Sequence, residues 1–244
     1  MNSGKTVHPD CGHPPAAQLY TVAKVPDLPE TLYHRFLGYV SESCRQRTVR
    51  FLRYEDRCRS VTGEVLCRYA VYRYSGIRRQ FWTVLKNDCG KPYLPGSGIH
   101  FNISHSGSWV ICGIDREEIG VDVEKSRSVD PGIVERFFSV PEKEWFARCA
   151  APGEQRIVFL KFWTLKESYI KAIGKGLQCP LDSFACLPEE TGIRLIRYNQ
   201  GLPPAFFHHF APDAEHHCAV CCLRESSRIT TIEVSFEELE SFTN

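Results

Sequence analysis

Between residues 101 and 125 three short runs, FNISHS, SWVICGID and IGVDVEK, follow one another with only turn residues between them. Each is too short for a helix of ordinary length and is rich in β-branched residues, so all three read as strands. Any fold for this chain must accommodate that small sheet at its middle. Upstream the pattern is helical. Ser41 or Ser43 can cap a helix running through SCRQRTVRFLRYEDR, and a second helix runs through SVTGEVLCRYAVYRYS, where Val61, Val65, Leu66 and Tyr69 recur at helical spacing. Downstream, VERFFS and PEKEWFARCA read as helices, Pro141 suiting a first helical turn. The longest candidate is QRIVFLKFWTLKESYIKAIGKG, with stop signals at Gly174 and Gly176. Further strands are expected around Gln18–Lys24, GIRLIRY, HHCAVCCLR and TTIEVSF. DCGKPYLPGSG reads as a loop and residues 1–16 as loose.

Each half thus mixes helices with a small sheet, which predicts an α+β fold. A joint falls at residues 116–118, dividing the chain into 1–116 and 117–244. An ancient duplication would suit that arrangement, although no sequence repeat marks it. Charge divides in the same way. Residues 1–100 carry 4 Lys and 11 Arg against 8 acids, a net +7, whereas residues 101–244 carry a net −6. The first half would attract phosphates and the second could hold a cation; two merely solvated surfaces would give the same imbalance. The 12 cysteines in 244 residues fall below the density of a disulfide scaffold, about 8–10%, so reduced thiols are expected. The N-terminus lacks the apolar core of a signal peptide, and the longest apolar runs, WVICGI and CAVCCL, are too short for a bilayer. A cytoplasmic protein without membrane contact is the expectation.

Several constellations could carry chemistry. In IGVDVEK the alternation of a strand puts Asp122 and Glu124 on one face, about 6–7 Å apart, with Val121 and Val123 toward the core. Paired carboxylates with no neighbouring His or Cys suit Mg²⁺, while a polar edge strand is the plain alternative. On the longest helix Glu167 and Lys171 stand at i and i+4, about 6 Å apart along the axis, as an ordinary surface salt bridge also would. Phe162, Leu165, Tyr169 and Ile173 supply its apolar face.

Ser104 and His105 offer donors to a phosphate, and the Gly90-Lys91-Pro92 loop adds backbone and ammonium groups. A serine hydrolase is disfavoured, because neighbouring strand residues point to opposite faces and no G-x-S-x-G elbow occurs. Arg45, Arg47, Arg50, Arg53, Arg57 and Arg59 could clamp phosphates or form an exposed face. Nucleic-acid binding is not expected, since no reader motif accompanies them. His208, His209, His216, His217, Cys218, Cys221 and Cys222 invite a zinc reading, yet HHCAVCCL reads better as a buried strand with cysteine as a small hydrophobe.

Taken in order, G-K-P, F-N-I-S-H-S-G-x-W-V-I-C, I-G-V-D-V-E-K, R-F-F-S and F-W-T-L-K-E-S-Y-I-K-A-x-G-K-G-L…P-L-D-S-F resemble the surfactin-synthetase-activating type of 4′-phosphopantetheinyl transferase. The resemblance covers roughly residues 41–184, about 60% of the chain. It implies two similar α/β subdomains forming a pseudo-dimer within one monomeric chain, with coenzyme A in the cleft between them. It implies that Asp122, Glu124 and Glu167 bind Mg²⁺, that Glu167 is the base for the attacking serine, and that Lys171 stabilises the departing 3′,5′-ADP. By the same resemblance Gly90, Lys91 and Pro92 lie beside the adenine. Ser104, His105, Arg59 and Ser60 contact the nucleotide, as does Arg47. Where the family pattern reads S-P-E-K-x-x-K, this chain reads S-E-S-C-x-x-R, with Cys44 in place of one lysine and Arg47 of the other. The implied partner is an apo peptidyl-carrier or acyl-carrier protein, acidic around its serine. Phe137, Phe138, Trp145 and Phe146 are candidates for its docking surface or, more simply, for the core.

Overall fold

A computed structural model describes residues 16–78, 82–225 and 229–244. The loose segment expected at residues 1–16 falls, apart from its last residue, outside them. The chain begins with β1 (Ala17–Val22), α1 (Glu30–Tyr39), α2 (Glu42–Thr48) and α3 (Tyr54–Ser75). Two-residue strands β2 (Leu85–Lys86) and β3 (Pro92–Tyr93) bracket residues 87–91, so Pro92 and Tyr93 of the stretch expected as loop form a short strand instead. The central run is β4 (His100–Ser106), β5 (Trp109–Asp115) and β6 (Ile119–Lys125), as the sequence pattern predicts. Then come α4 (Pro131–Phe137), α5 (Val140–Ala147) and α6 (Pro152–Ile173). The chain ends with β7 (Phe184–Glu189), β8 (Gly192–Arg197), β9 (Phe206–Asp213), β10 (His216–Cys222), β11 (Ile229–Glu233) and α7 (Phe236–Thr243). The fold is α+β.

In the first part of the chain two boundaries differ from the sequence reading. The helix expected through SCRQRTVRFLRYEDR stops at Thr48, where successive β-branched residues weaken it, and Arg57 Nε holds the Phe51 carbonyl outside any helix at 2.8 Å. Residues YEDR instead open α3, which continues through SVTGEVLCRYAVYRYS without a break. The first strand also ends early, since Lys24 turns the chain with a left-handed φ of 55°.

The strands form two principal sheets, β11-β1-β5-β4 and β6-β10-β9. All pairs are antiparallel except β1 with β11, so the end of the chain returns to the first half, where α7 packs against α1 and α3. Each half also carries a 22-residue helix that packs on its sheet and is closed by a left-handed glycine, Gly76 after α3 and Gly174 after α6. Leu19, Ile111, Val121, Val123, Cys218 and Val220 form an apolar layer between the sheets. The valines of β6 therefore face the core and its acids face α6.

The two sheets meet along β4 and β6, and the joint is made by side chains. Asn102 Oδ1 accepts the Val121 N–H at 2.9 Å, Ser104 Oγ the Val123 N–H at 3.3 Å, and Ser106 Oγ the Lys125 N–H at 3.0 Å. Alternate residues of β4 thus satisfy alternate amides of β6, doing the work of a backbone ladder. On the other side of β6, a buried ion pair between Lys166 and Glu142 (2.7 Å, both fully buried) ties α6 to α5. Lys166 also donates to the carbonyls of Leu181 and Phe184, each at 2.7 Å. The eleven described cysteines are free thiols. Among the described residues no helix is long and apolar enough to cross a membrane.

Gly120 lets β6 approach α6. A Cβ there would meet the Ser168 carbonyl and the Ala172 backbone nitrogen, atoms that cannot step aside as a side chain would. Gly120→Ala is expected to lower the unfolding free energy by about 3 kcal/mol or more, read from the urea midpoint. A loss below about 0.5 kcal/mol would contradict the close approach.

Candidate active site

Asp122 and Glu124 reach toward α6 because they alternate with the core valines of β6. Lys171 Nζ donates to Asp122 Oδ1 at 2.6 Å and to Ser104 Oγ at 3.2 Å. Ser104 Oγ in turn donates to Asp122 Oδ1 at 3.0 Å, and Ser106 Oγ donates to Glu124 Oε2 at 3.1 Å. The hydroxyls that join the sheets therefore also orient both carboxylates. Asp122 Oδ2 is buried and has no hydrogen-bond partner.

Burial raises the pKa of Asp122 against the pull of the Lys171 ammonium. Burial and then the Asp122 charge raise that of Glu124. Glu167 is pushed up to about 6, chiefly by burial, with Lys171 opposing and the charges of Asp122 and Glu124 adding to the rise. Burial disfavours the ammonium of Lys171, but Asp122, Glu167 and Glu124 together outweigh it and raise its pKa. These four groups feel one another's charge.

Among the described residues, no three His, Cys, Asp or Glu side chains stand close enough together to hold one metal ion. The acids expected to share Mg²⁺ are thus electrostatic neighbours rather than a gathered ligand cluster, and Lys171 neutralises Asp122. Their chemistry still fits a hard divalent cation. All are oxygen donors, Asp122 presents a free buried oxygen, and mutual repulsion favours any added positive charge. The late histidines and cysteines form no metal site either: β10 is buried along its length, and His216 Nδ1 pairs with Asp213 at 2.8 Å.

Beside the acids lie two cavities. The smaller, about 320 Å³, is lined by Glu167, Lys171, Gly90, Lys91, Pro92 and Asn102 among others. The larger, about 510 Å³, includes Arg47, Ser60, Arg68, Trp82, Ile103 and His105 in its wall. Gly90 and Pro92 belong to both, so the Gly-Lys-Pro loop stands where the two meet. His105 keeps an exposed edge, but partial desolvation by the protein around it lowers its pKa, and the charges of Arg59, Lys171 and Arg47 add to the effect.

Not every residue singled out from the sequence faces these cavities. Ser104 turns away from the larger one, toward β6, while His105 on the opposite face of β4 lines it. Arg59 borders a third cavity, about 470 Å³, with Arg53 and Lys125, and is held by Asp56 at 2.5 Å and the Gly107 carbonyl at 2.7 Å. Cys44 is fully buried against Thr48 and Ser60. Phe138 is core, stacked on Phe159, whereas Trp145 is 37% exposed. Sequence reasoning passed over Glu64 and Arg68, which pair at 2.7 Å in the wall of the larger cavity; their i, i+4 spacing on α3 was the available signal. It also passed over Asn102 and Ser106, marked by polar alternation in FNISHS.

A family model described as the 4′-phosphopantetheinyl transferase superfamily matches residues 118–221, and one described as 4′-phosphopantetheinyl transferase, N-terminal, matches residues 29–115. A 4′-phosphopantetheinyl transferase of Bacillus subtilis is 37% identical over 188 residues, 77% of this chain and 84% of the relative. Sfp of Bacillus subtilis strain 168 is 35% identical, with 84% of this chain and 92% of the relative covered. The gsp transferase of Aneurinibacillus migulanus is 34% identical, with 91% and 92% covered. This chain belongs to the 4′-phosphopantetheinyl transferase family, and within it to the Sfp-like type.

Lys171→Met would leave Asp122 as a buried carboxylate without its ion partner. Because Lys171 is 29% exposed, the expected loss is about 2–3 kcal/mol at pH 7, below the 3–5 kcal/mol of a fully buried pair. Adding Asp122→Asn should recover much of it. Urea unfolding checks this: equal stabilities of the single and double variants would contradict the pairing.

Proposed function

We propose that this chain transfers the 4′-phosphopantetheine arm of coenzyme A to a serine of an apo peptidyl-carrier or acyl-carrier protein, releasing 3′,5′-ADP, with Mg²⁺ as cofactor. The observation that carries this reading is the junction of two cavities, one bordered by Arg47 and His105, the other by Glu167 and Lys171, in a member of this family. In this reading residues 1–116, joined by the returning β11 and α7, form the nucleotide side, and the rest of 117–244 forms the metal and catalytic side. The protein acts as a cytoplasmic monomer.

Arg47 and His105 hold nucleotide phosphates, and the backbone of Gly90 and Pro92 flanks the base. Asp122, Glu124 and Glu167 would hold Mg²⁺, which when bound offsets the negative charge of the pyrophosphate. Glu167, with a pKa of about 6, can accept a proton near neutrality. The serine hydroxyl gives its proton to Glu167 and its oxygen bonds to the β-phosphorus. The bond from that phosphorus to the bridging oxygen breaks, and the electron pair leaves on 3′,5′-ADP. Lys171 remains an ammonium and stabilises that oxygen. The nucleophile belongs to the partner, so no serine-histidine pair is required within the chain.

Purified protein with coenzyme A and Mg²⁺ should leave the cofactor intact until an apo carrier is added, and the carrier should then gain one phosphopantetheine mass. A panel of carriers whose masses all stay unchanged would refute the reading. Glu167→Gln should lower kcat by about 10²–10⁴-fold with the fold preserved by circular dichroism; a kcat near wild type would remove Glu167 from the role of base.

A further inference from the structure

The ammonium of Lys91 is used up inside the protein. A lysine has three N–H donors, and those of Lys91 go to the Glu118 carboxylate, to the Ala172 carbonyl at 2.7 Å and to the Ile119 carbonyl at 3.4 Å. Ala172 lies in the last turn of α6, immediately after Lys171, where helix carbonyls lack intrahelical partners and a cation is favoured. A neighbour in the same loop repeats the arrangement. Asn87 Nδ2 donates to the Gly174 carbonyl at 2.9 Å, while Asn87 Oδ1 accepts the N–H groups of Cys89 and Lys91 at 3.0 and 2.9 Å. Gly174 makes room for this contact: a Cβ there would stand 2.9 Å from Lys91 Cδ and 3.1 Å from Asn87 Nδ2. Its φ of 67° is also one that glycine adopts freely.

Glu118 completes the clamp from the start of β6 and pairs with His100 at 3.1 Å. Burial would raise its pKa, but the hydrogen bonds from His100 and Lys91 hold it at about 2. Three segments thus converge on one ammonium: the loop between β2 and β3, the start of β6 and the end of α6. The same loop contributes Gly90 and Pro92 to both cavities.

We infer that Lys91 is a positioning residue rather than a phosphate ligand: it latches the cofactor-binding loop of the first half onto the C-terminal end of the catalytic helix, and so sets the spacing between the nucleotide cavity and Glu167 and Lys171. This rests on the reading that the cleft takes coenzyme A. Glu118 lines neither cavity, so it can be altered without touching a bound cofactor.

The test uses the full chain as wild type, Lys91→Met, Glu118→Gln and the double variant, with KM and kcat measured for coenzyme A and for 3′-dephospho-coenzyme A. Both single variants should raise KM for both cofactors about 5–10-fold with kcat within about twofold, and the double variant should add less than twofold to the worse single one. The ratio of the two KM values should stay at that of the wild type. A KM for Glu118→Gln equal to wild type, or a Lys91→Met loss confined to one cofactor, would overturn the latch in favour of direct phosphate contact. Hydrogen exchange without ligand separates this from the function itself. Lys91→Met should speed exchange in both residues 87–93 and the last turn of α6. Unchanged exchange in either segment overturns the latch even if the wild type proves inactive toward coenzyme A.

Discussion

The architecture depends on how β6 is held. Its amides at Val121, Val123 and Lys125 are satisfied by Asn102, Ser104 and Ser106 of β4, so two sheets that share no backbone ladder behave as one surface. Each such bond contributes only about 1 kcal/mol net, but an unpaired amide at buried Val121 or Val123 would cost more than that, which makes the polar partners Asn102 and Ser104 a requirement. Because Ser104 and Ser106 also donate to Asp122 and Glu124, the bonds that join the halves fix the direction of the acids.

Burying those acids carries a penalty that the fold offsets locally. Lys171 stands one helical turn beyond Glu167 and compensates Asp122, while Glu124 keeps a serine partner and lies near the open end of the row. The close approach of α6 that this needs is made possible by Gly120, and the end of α6 is tied down by Lys91 and Asn87. Stability and the shape of the cleft therefore draw on the same contacts, so a change in the clamp loosens the loop that borders both cavities.

Local patterns made the acids and the long helix α6 legible in the sequence. Asp122 and Glu124 alternate with valines, and Glu167 and Lys171 lie one turn apart; both periods follow from backbone geometry alone. What depends on distant partners was not legible. The return of β11 to β1 joins residues over two hundred positions apart, and nothing in TTIEVSF names its neighbour. Ser104 read as a phosphate donor by its hydroxyl and by the motif it shares with His105; a strand sends the two to opposite faces, and only the position of β6 decides which face meets the larger cavity. The break between α2 and α3 had a partial local signal in the β-branched pair Thr48-Val49, whereas the hold of Arg57 on the Phe51 carbonyl had none.

In the proposed function the β4–β6 joint delivers Asp122 and Glu124 to the pyrophosphate of the bound cofactor. A crystal structure of the protein with coenzyme A and Mg²⁺ tests it most directly. The ion is expected at about 2.0–2.1 Å from carboxylate oxygens of Asp122 and Glu124, with the Ser104 and Ser106 hydroxyls still on the β6 amides. A cofactor bound in the cleft with its pyrophosphate and metal touching neither carboxylate would contradict it.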